Sequence, residues 1–536
     1  MATFPNAPKI CLINPPTTEP DECGIYFPLC LITLGSVLKE HGFEAEIWDF
    51  DLHFKKVGNT DEARFRKLIR AGVRGANTRI FGITAICSNY PIALWIAKQI
   101  KEERKDAVVV FGGAQPSSVP METLEKFPFV DAVVVGEGEM TLLDMARVGY
   151  EPSHFGDIPG VAFREGGSPR FTGARRMLPE LDDLPVPDYS LVDLDQYMSL
   201  KPLVEFRPTL EAGRGCPFTC TFCSTALMWN RDYRVKSPDR ILQEMTLLHE
   251  QYGFKEFGFI HDNFTTSKNF LEKYCDYMIE NNRQGFRWHC SSRTDCLTVD
   301  RIQRMYDAGL SGLFFGIDSA SERMQKVMQK HLNTSEFNPI IRKSCELKLE
   351  STTAFVLGFP EETEEDLDAS VLLALRYREM GTPRVFFGKL CAYTGTAIHK
   401  NFLGRFRELS PYPSPCPQNY EIPYVKDLIT GNPDFFSSFY HVPHPVFSSD
   451  YLCRYTALAY FLVDGAAQIS LLLKDHLGIG ITKLFKKWDE WASERRIPYY
   501  FFDYKIYGVE GFQRDFQNFL DETLFLSVTT RPEIAA

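Results

Sequence analysis

The stretch "EAGRGCPFTCTFCSTALMWNRDYR", residues 211–234, places Cys216, Cys220 and Cys223 at x3 and x2 spacing in one glycine-flanked turn. Thiols crowded in this way read as a ligand set. A structural zinc site takes four ligands, usually two C-x-x-C pairs or one pair completed by histidines. His261, His289 and Cys290 lie too far along the chain to be identified as the missing partner. A cubane iron–sulfur cluster takes one thiolate per iron. Three thiolates therefore hold three corners and leave one iron open, and an open metal position is where a substrate or cofactor binds.

The surrounding pattern says what kind of scaffold presents this turn. "RPTLEAG" just before it reads as a strand, and five more strands follow: "EFGFIHDNF", "RWHCSSRTD", "GLFFGIDSA", "TTAFVLGFP" and "RVFFGKLCAY". Segments of helical period separate them, at 238–253, 267–282, 298–309, 321–329 and in "EEDLDASVLLALRYREMG". Six βα-like units predict a parallel sheet curved toward a barrel, with its chemistry at the carboxyl ends of the strands. The cysteine turn falls at such an end.

Upstream, apolar strands at 9–16, 44–50, 79–86, 107–113 and 131–139 alternate with helices at 28–42, 90–104 and 120–127. This alternation predicts a doubly wound, Rossmann-like sheet whose ligand site lies beyond the strand ends. The turns Asn14-Pro15-Pro16, Gly112-Gly113 and Gly136-Glu137-Gly138 fall there. A Pro- and Gly-rich connector with one small hairpin follows to about 205. Beyond 400 the chain is aromatic-rich and then helical, and Phe435, Phe436, Phe439, Tyr440 and Phe447 are expected to pack a helical cap. The expected division is 1–148, a linker 149–205, a barrel-like domain 206–400 and a C-terminal region 401–536 that shapes specificity.

Composition excludes some classes. The formal net charge of −11 argues against a broad nucleic-acid-binding surface. Met1–Pro8 run straight into "KICLIN" without a signal-like stretch, so a cytoplasmic protein with reduced thiols is expected. Cys11, Cys30, Cys87, Cys275 and Cys345 then read as small buried hydrophobes. The apolar run "ALAYFLVDGAAQISLLL" (457–473) is short for a span and carries Asp464 and Gln468, which predicts a buried helix and no integral membrane segment. No G-x-x-x-x-G-K-[ST] stretch occurs, and "GIGITK" (478–483) lacks that pattern.

Cys216-x3-Cys220-x2-Cys223, with Phe222 just before the last cysteine, resembles the signature of the radical S-adenosylmethionine (SAM) superfamily. In that family the open iron of a [4Fe-4S] cluster chelates S-adenosyl-L-methionine, and one electron cleaves it to methionine and a 5′-deoxyadenosyl radical. The resemblance implies adenosylmethionine contacts at Phe222, at Asp262 in "FIHDNF", at Arg293 in "SSRTD" and at Asp318 and Ser319 in "FGIDSAS". "LGFPEET" (357–363) would lie near the adenine. Asp318 stands where many relatives carry Glu. Without the resemblance each of these polar residues reads as a cap for the helix that follows.

"INPP", "LITLGSVLKEHGFEAEIWD", "FGITAICSNYPIALWIAKQIKE", "VVFGGAQPSS" and "DAVVVGEGEMTLLD" together resemble the cobalamin-binding domain fused ahead of many members of that family. The resemblance spans roughly 8–400. It implies an α/β chain: a doubly wound cobalamin-binding-type domain, a partial (β/α)6 TIM-like barrel and a mostly helical C-terminal region. No D-x-H-x-x-G stretch occurs, and Gly112-Gly113-Ala114-Gln115 stands where relatives often read Gly-Gly-x-His. No histidine is therefore identifiable as a lower cobalt ligand. Cobalamin contacts are expected at Thr84, Ser88, Gly112, Gly113, Glu137 and Gly138.

The implied activity is that of a cobalamin-dependent C-methyltransferase. Its radical abstracts hydrogen from an unactivated carbon of a peptide or small-molecule natural product, and methylcobalamin supplies the methyl group. An electron donor such as flavodoxin or ferredoxin would serve the cluster. Two alternatives stand beside it. One is ring closure or epimerisation without methyl transfer, for which Cys391 in "FGKLCAYTGT" would donate hydrogen, against its reading as a buried small hydrophobe. The other is a non-catalytic iron–sulfur sensing protein.

Overall fold

The computed structural model describes residues 9–17, 26–58, 61–200, 207–410, 421–499 and 504–525. The chain forms two compact units. The first comprises 1–264, 272–288 and 391–440, and the second 265–271, 289–390 and 441–536.

The first unit begins with β1 (Ile10–Asn14), β2 (Ala45–Asp49), β3 (Ile80–Thr84), β4 (Val108–Gly112) and β5 (Ala132–Val134), all paired in parallel. Apart from the half-buried edge strand β2, these strands are mostly apolar and buried, as strands covered by helices on both faces require. The sheet order β2-β1-β3-β4-β5 reverses direction between β1 and β3. Connections leave β1 and β3 on opposite faces, so a crevice opens at their carboxyl ends.

Two expectations shift here. The strand read at 131–139 stops at Val134, because Gly136 takes φ +82 and turns the chain out of the sheet before a helix starts at Glu139. The connector's hairpin, β6 (Val161–Glu165) and β7 (Ser168–Phe171), is no separate ornament. It adds antiparallel to β5 and completes a seven-stranded sheet, pairing a strand edge that would otherwise stay open. The helices Phe50–Val57 and Glu62–Gly75 were not legible from period alone; Asp49 and Asp61 cap them by accepting from Leu52 and Arg64 amides.

The second strand series comprises β8 (Thr209–Glu211), β11 (Glu256–Ile260), β12 (Arg287–Ser292), β13 (Leu310–Asp318), β14 (Glu350–Leu357) and β15 (Arg384–Lys389). Between β8 and β11 a two-residue ladder joins β9 (Gly213–Arg214) to β10 (Arg234–Val235). In the first unit β11 lies parallel to β8, and Trp288 at the start of β12 stacks on Phe259 with centroids 5.2 Å apart. In the second unit β13, β14 and β15 are parallel, and β13 ends on Asp318 with φ +64 beside a register shift. A non-glycine residue held in this region at a strand end stores backbone strain.

The edge strand β15 is closed by one side chain. The Tyr460 hydroxyl accepts the Phe387 N–H at 2.8 Å and donates to the Phe387 carbonyl at 3.0 Å. Tyr460→Phe removes both bonds and is expected to lower stability by about 1–2 kcal/mol, read as a shift in the urea midpoint with an unchanged slope.

The region beyond 400 divides between the units. Phe435 and Phe436 pack on Tyr90 in the first unit, with centroids 5.8 and 6.2 Å away. Phe447 stacks between His444 (4.4 Å) and Tyr451 (4.9 Å) in the second. The long apolar run is two helices, Ser449–Gly465 and Ala467–Leu477, bent by 103°. Among the described residues no single helix is long and apolar enough to cross a membrane.

Candidate functional site

Glycine opens the cysteine turn for a steric reason. Gly213 packs under the His261 ring, and Gly215 takes φ +90 over the Asp232 carbonyl. The turn closes with the Cys223 amide donating to the Cys220 carbonyl at 3.2 Å, and the Ile398 amide donates to Thr221 O at 3.4 Å. Phe222 lies within this loop and is half-buried. Both Asp262 oxygens engage it: Oδ2 accepts the Gly215 N–H at 3.0 Å and Oδ1 the Thr225 hydroxyl at 2.8 Å.

The Cys216 thiol senses its neighbours. Burial, with negative partners at Cys223, Asp262 and Cys220 adding to it, pushes the Cys216 thiol up to about 11 against one backbone N–H at Phe218. Such a group ionises readily only when a cation is supplied, and metal coordination deprotonates a thiol outright. Among the described residues no three His, Cys, Asp or Glu side chains gather tightly enough to hold a single ion.

Directly before the loop, Arg214 is buried in carboxylates. Its Nη1 donates to Glu137 at 2.8 Å, Nη2 to Glu139 at 2.6 Å and Nε to Glu211 at 2.8 Å. Arg234, opposite it in the two-residue ladder, donates to the same Glu137 oxygen at 2.8 Å. Like charges facing across a ladder repel, and this shared carboxylate is what lets them sit together. The Trp229 ring lies 5.7 and 5.9 Å from the two guanidinium carbons. Burial alone would lower the Arg214 pKa; the Glu139 and Glu211 charges more than reverse that and hold it well above its ordinary value.

This network walls a cavity of ≈ 470 Å³ at the carboxyl ends of β3, β4 and β5, within the size range of ligand sites. Thr84, Gly112, Gly113, Glu137 and Gly138 all line it, whereas Ser88 does not. A side chain at Gly112 or Gly136 would project into open space, while one at Gly113 would meet the Ala85 carbonyl at 2.5 Å. Leu12, Leu34, Val110, Val134 and Leu142 make an apolar slot at its base. Arg214, Trp229 and Ile260 contribute from the cysteine-turn side. Gln115 is not in the lining; its amide donates to Thr394 Oγ1 at 3.1 Å.

Cys30 departs from the buried-hydrophobe reading: it is exposed, because it opens into this cavity. Cys391 is buried, and its thiol donates to the Ser438 carbonyl at 3.5 Å. In the second unit, Arg293 directly follows β12, pairs with Asp295 at 2.8 Å and donates to the Lys330 carbonyl at 2.7 Å. Asp318 forms an ion pair with Lys330. Ser319 is fully buried; its hydroxyl lies 3.3 Å from Ser370 Oγ and accepts the Ser321 N–H at 3.2 Å.

Sequence reasoning passed over Arg214, Trp229, Glu139 and Glu211. The signal available was a charged residue wedged between the glycines before Cys216, but its partners Glu137 and Glu139 lie in a distant turn that no local pattern connects to it.

Comparison with known proteins agrees with this geometry. The radical SAM superfamily model matches residues 210–374, and the B12 binding domain model matches residues 24–146. An uncharacterized methyltransferase of Pyrococcus horikoshii is 29% identical over 371 residues, covering 68% of this chain and 77% of that protein. The anaerobic magnesium-protoporphyrin IX monomethyl ester cyclase of Cereibacter sphaeroides is 27% identical over 358 residues; the match spans 66% of this chain and 56% of the cyclase. Among solved structures, the radical S-adenosylmethionine methyltransferase TsrM from Kitasatospora setae, with cobalamin and a [4Fe-4S] cluster bound, superposes with a TM-score of 0.61 at 18% identity, over 75% of this chain and 79% of that one.

Proposed function

We propose that this chain, which belongs to the radical SAM superfamily and carries a B12-binding domain ahead of its radical SAM domain, is a cobalamin-dependent radical methyltransferase that methylates an unactivated carbon of a peptide or small natural product. One observation carries the reading. The cavity at the B12-domain strand ends and the cysteine loop share a wall, through Arg214 two residues before Cys216.

The residues present fit both groups. Cys216, Cys220 and Cys223 would ligate three irons of a [4Fe-4S] cluster. Thr84, Gly112, Gly113, Glu137 and Gly138 would meet the corrin, with bare backbone at Gly112 and Gly136 giving it room. When bound, these groups supply an electron for reductive cleavage of adenosylmethionine and a transferable methyl group.

The chain's own part is placement. Glu137 and Glu139 hold Arg214 and so set the cavity wall against the cysteine loop. Trp229 and Ile260 add apolar surface to that wall. Phe222, Arg293, Asp318 and Ser319 are part of this reading as adenosylmethionine contacts, supported by the family pattern and by their positions in the loop and at strand ends. An electron donor such as flavodoxin or ferredoxin belongs to the same reading.

The test is anaerobic reconstitution with iron, sulfide, hydroxocobalamin and a low-potential reductant. The expected result is a visible spectrum retaining cobalamin after gel filtration, together with 5′-deoxyadenosine formed from adenosylmethionine. Cys216→Ala is expected to abolish the deoxyadenosine while leaving cobalamin retention intact. No deoxyadenosine from the wild type with any reductant would sink the radical reading.

A further inference from the structure

Asp262 lies two residues beyond the end of β11, and a polar residue in such a turn ordinarily caps the next helix. It does not do so here: the next helix starts only at Lys268, and both carboxylate oxygens turn to the cysteine loop instead. Oδ2 holds the Gly215 amide, one residue before Cys216, and Oδ1 holds the Thr225 hydroxyl, two residues after Cys223. One carboxylate thus closes the loop at both of its ends.

We propose that Asp262 is a positioning residue for the cluster loop, stapling its two ends and placing a fixed negative charge beside the cluster that Cys216, Cys220 and Cys223 would hold. The proposal rests on reading the loop as a cluster site. Its two consequences are physically separate. Hydrogen bonds to an ionised acceptor are about twice as strong as neutral ones, so the staple restricts the loop even without metal. A negative charge near a cluster disfavours adding an electron, because net charge and hydrogen bonding set the reduction potential.

The separation dictates the experiment. In the metal-free full-length protein, hydrogen exchange of the 213–225 segment is measured for wild type, Asp262→Ala, Asp262→Asn and Thr225→Val. Exchange is expected to rise about tenfold in Asp262→Ala and by less in Thr225→Val, which loses one bond of the two. Unchanged exchange in both overturns the staple.

After reconstitution with iron and sulfide, midpoint potentials are read by redox titration followed by electron paramagnetic resonance. Asp262→Asn, nearly isosteric but uncharged, is expected to shift the midpoint positive, while Thr225→Val leaves it in place. An unchanged midpoint in Asp262→Asn at equal iron content overturns the electrostatic role, which a merely structural residue would not produce. If the wild type takes up no iron, the cluster reading fails, and the exchange measurement still decides the staple.

Discussion

Arg214→Met is expected to destabilise the protein by about 3–5 kcal/mol, the cost of removing one partner from a buried ion network. Methionine fills much of the volume, so the loss is one of charge. Glu137, Glu139 and Glu211 would lose their shared partner, with Arg234 left on Glu137 and the Lys236 charge left acting on Glu211, all in a water-poor wall. The pH dependence identifies the cause. Burial pushes the Glu211 pKa up, yet Arg214 pulls it net below its ordinary 4.5. A carboxylate with a depressed folded pKa contributes stability above its unfolded pKa and loses it as pH falls through the folded one. Without Arg214 the largest opposition to the burial penalty is gone, and that penalty disappears on protonation. The gap between wild type and variant should therefore be full at neutral pH and close as pH falls through and below about 4.5. Urea midpoints at several pH values measure it, and a gap independent of pH would assign the loss to packing instead.

Gly215→Ala is expected to destroy the cysteine loop as a ligand site. An added Cβ would lie 1.8 Å from the Asp232 carbonyl oxygen and 3.2 Å from the Trp229 Cβ. The oxygen cannot retreat easily, since the Asp232 amide is tied to the Trp229 carbonyl at 2.8 Å and Arg234 is held in the β9–β10 ladder. Positive φ adds strain of about 1–2 kcal/mol for any L side chain. Iron bound per protein after reconstitution should fall to background. Gly253→Ala is the control: that residue also has positive φ, +76, but nothing lies within 4 Å of its added Cβ. It should cost only conformational strain and keep its iron. Wild-type iron in Gly215→Ala would refute the steric argument.

Much of the site was legible because its signals are local. The x3, x2 spacing sits within eight consecutive residues, 216–223, and strand–helix alternation is read in windows of a dozen. Glycines at strand ends marked Gly112, Gly113 and Gly138 correctly as cavity residues, since bare backbone next to a ligand site leaves that trace. Ser88, expected from the family resemblance, lies outside the lining. Cys30 read as a small buried hydrophobe, but the face of its helix that it occupies opens into the cavity. Period identifies a buried face without saying whether protein or a ligand will cover it.

The sequence by itself determined the close spacing of Cys216, Cys220 and Cys223, the two series of alternating strands and helices and the family they resemble. These follow from spacing and periodicity, which neighbours along the chain enforce. Only the tertiary structure decided that Arg214 is neutralised by Glu137 and Glu139, that Asp262 grips the loop at both ends, and that a cavity shares a wall with it. The worth of a charge or a glycine depends on what is packed against it and how far water is excluded, and those are set by residues distant in sequence.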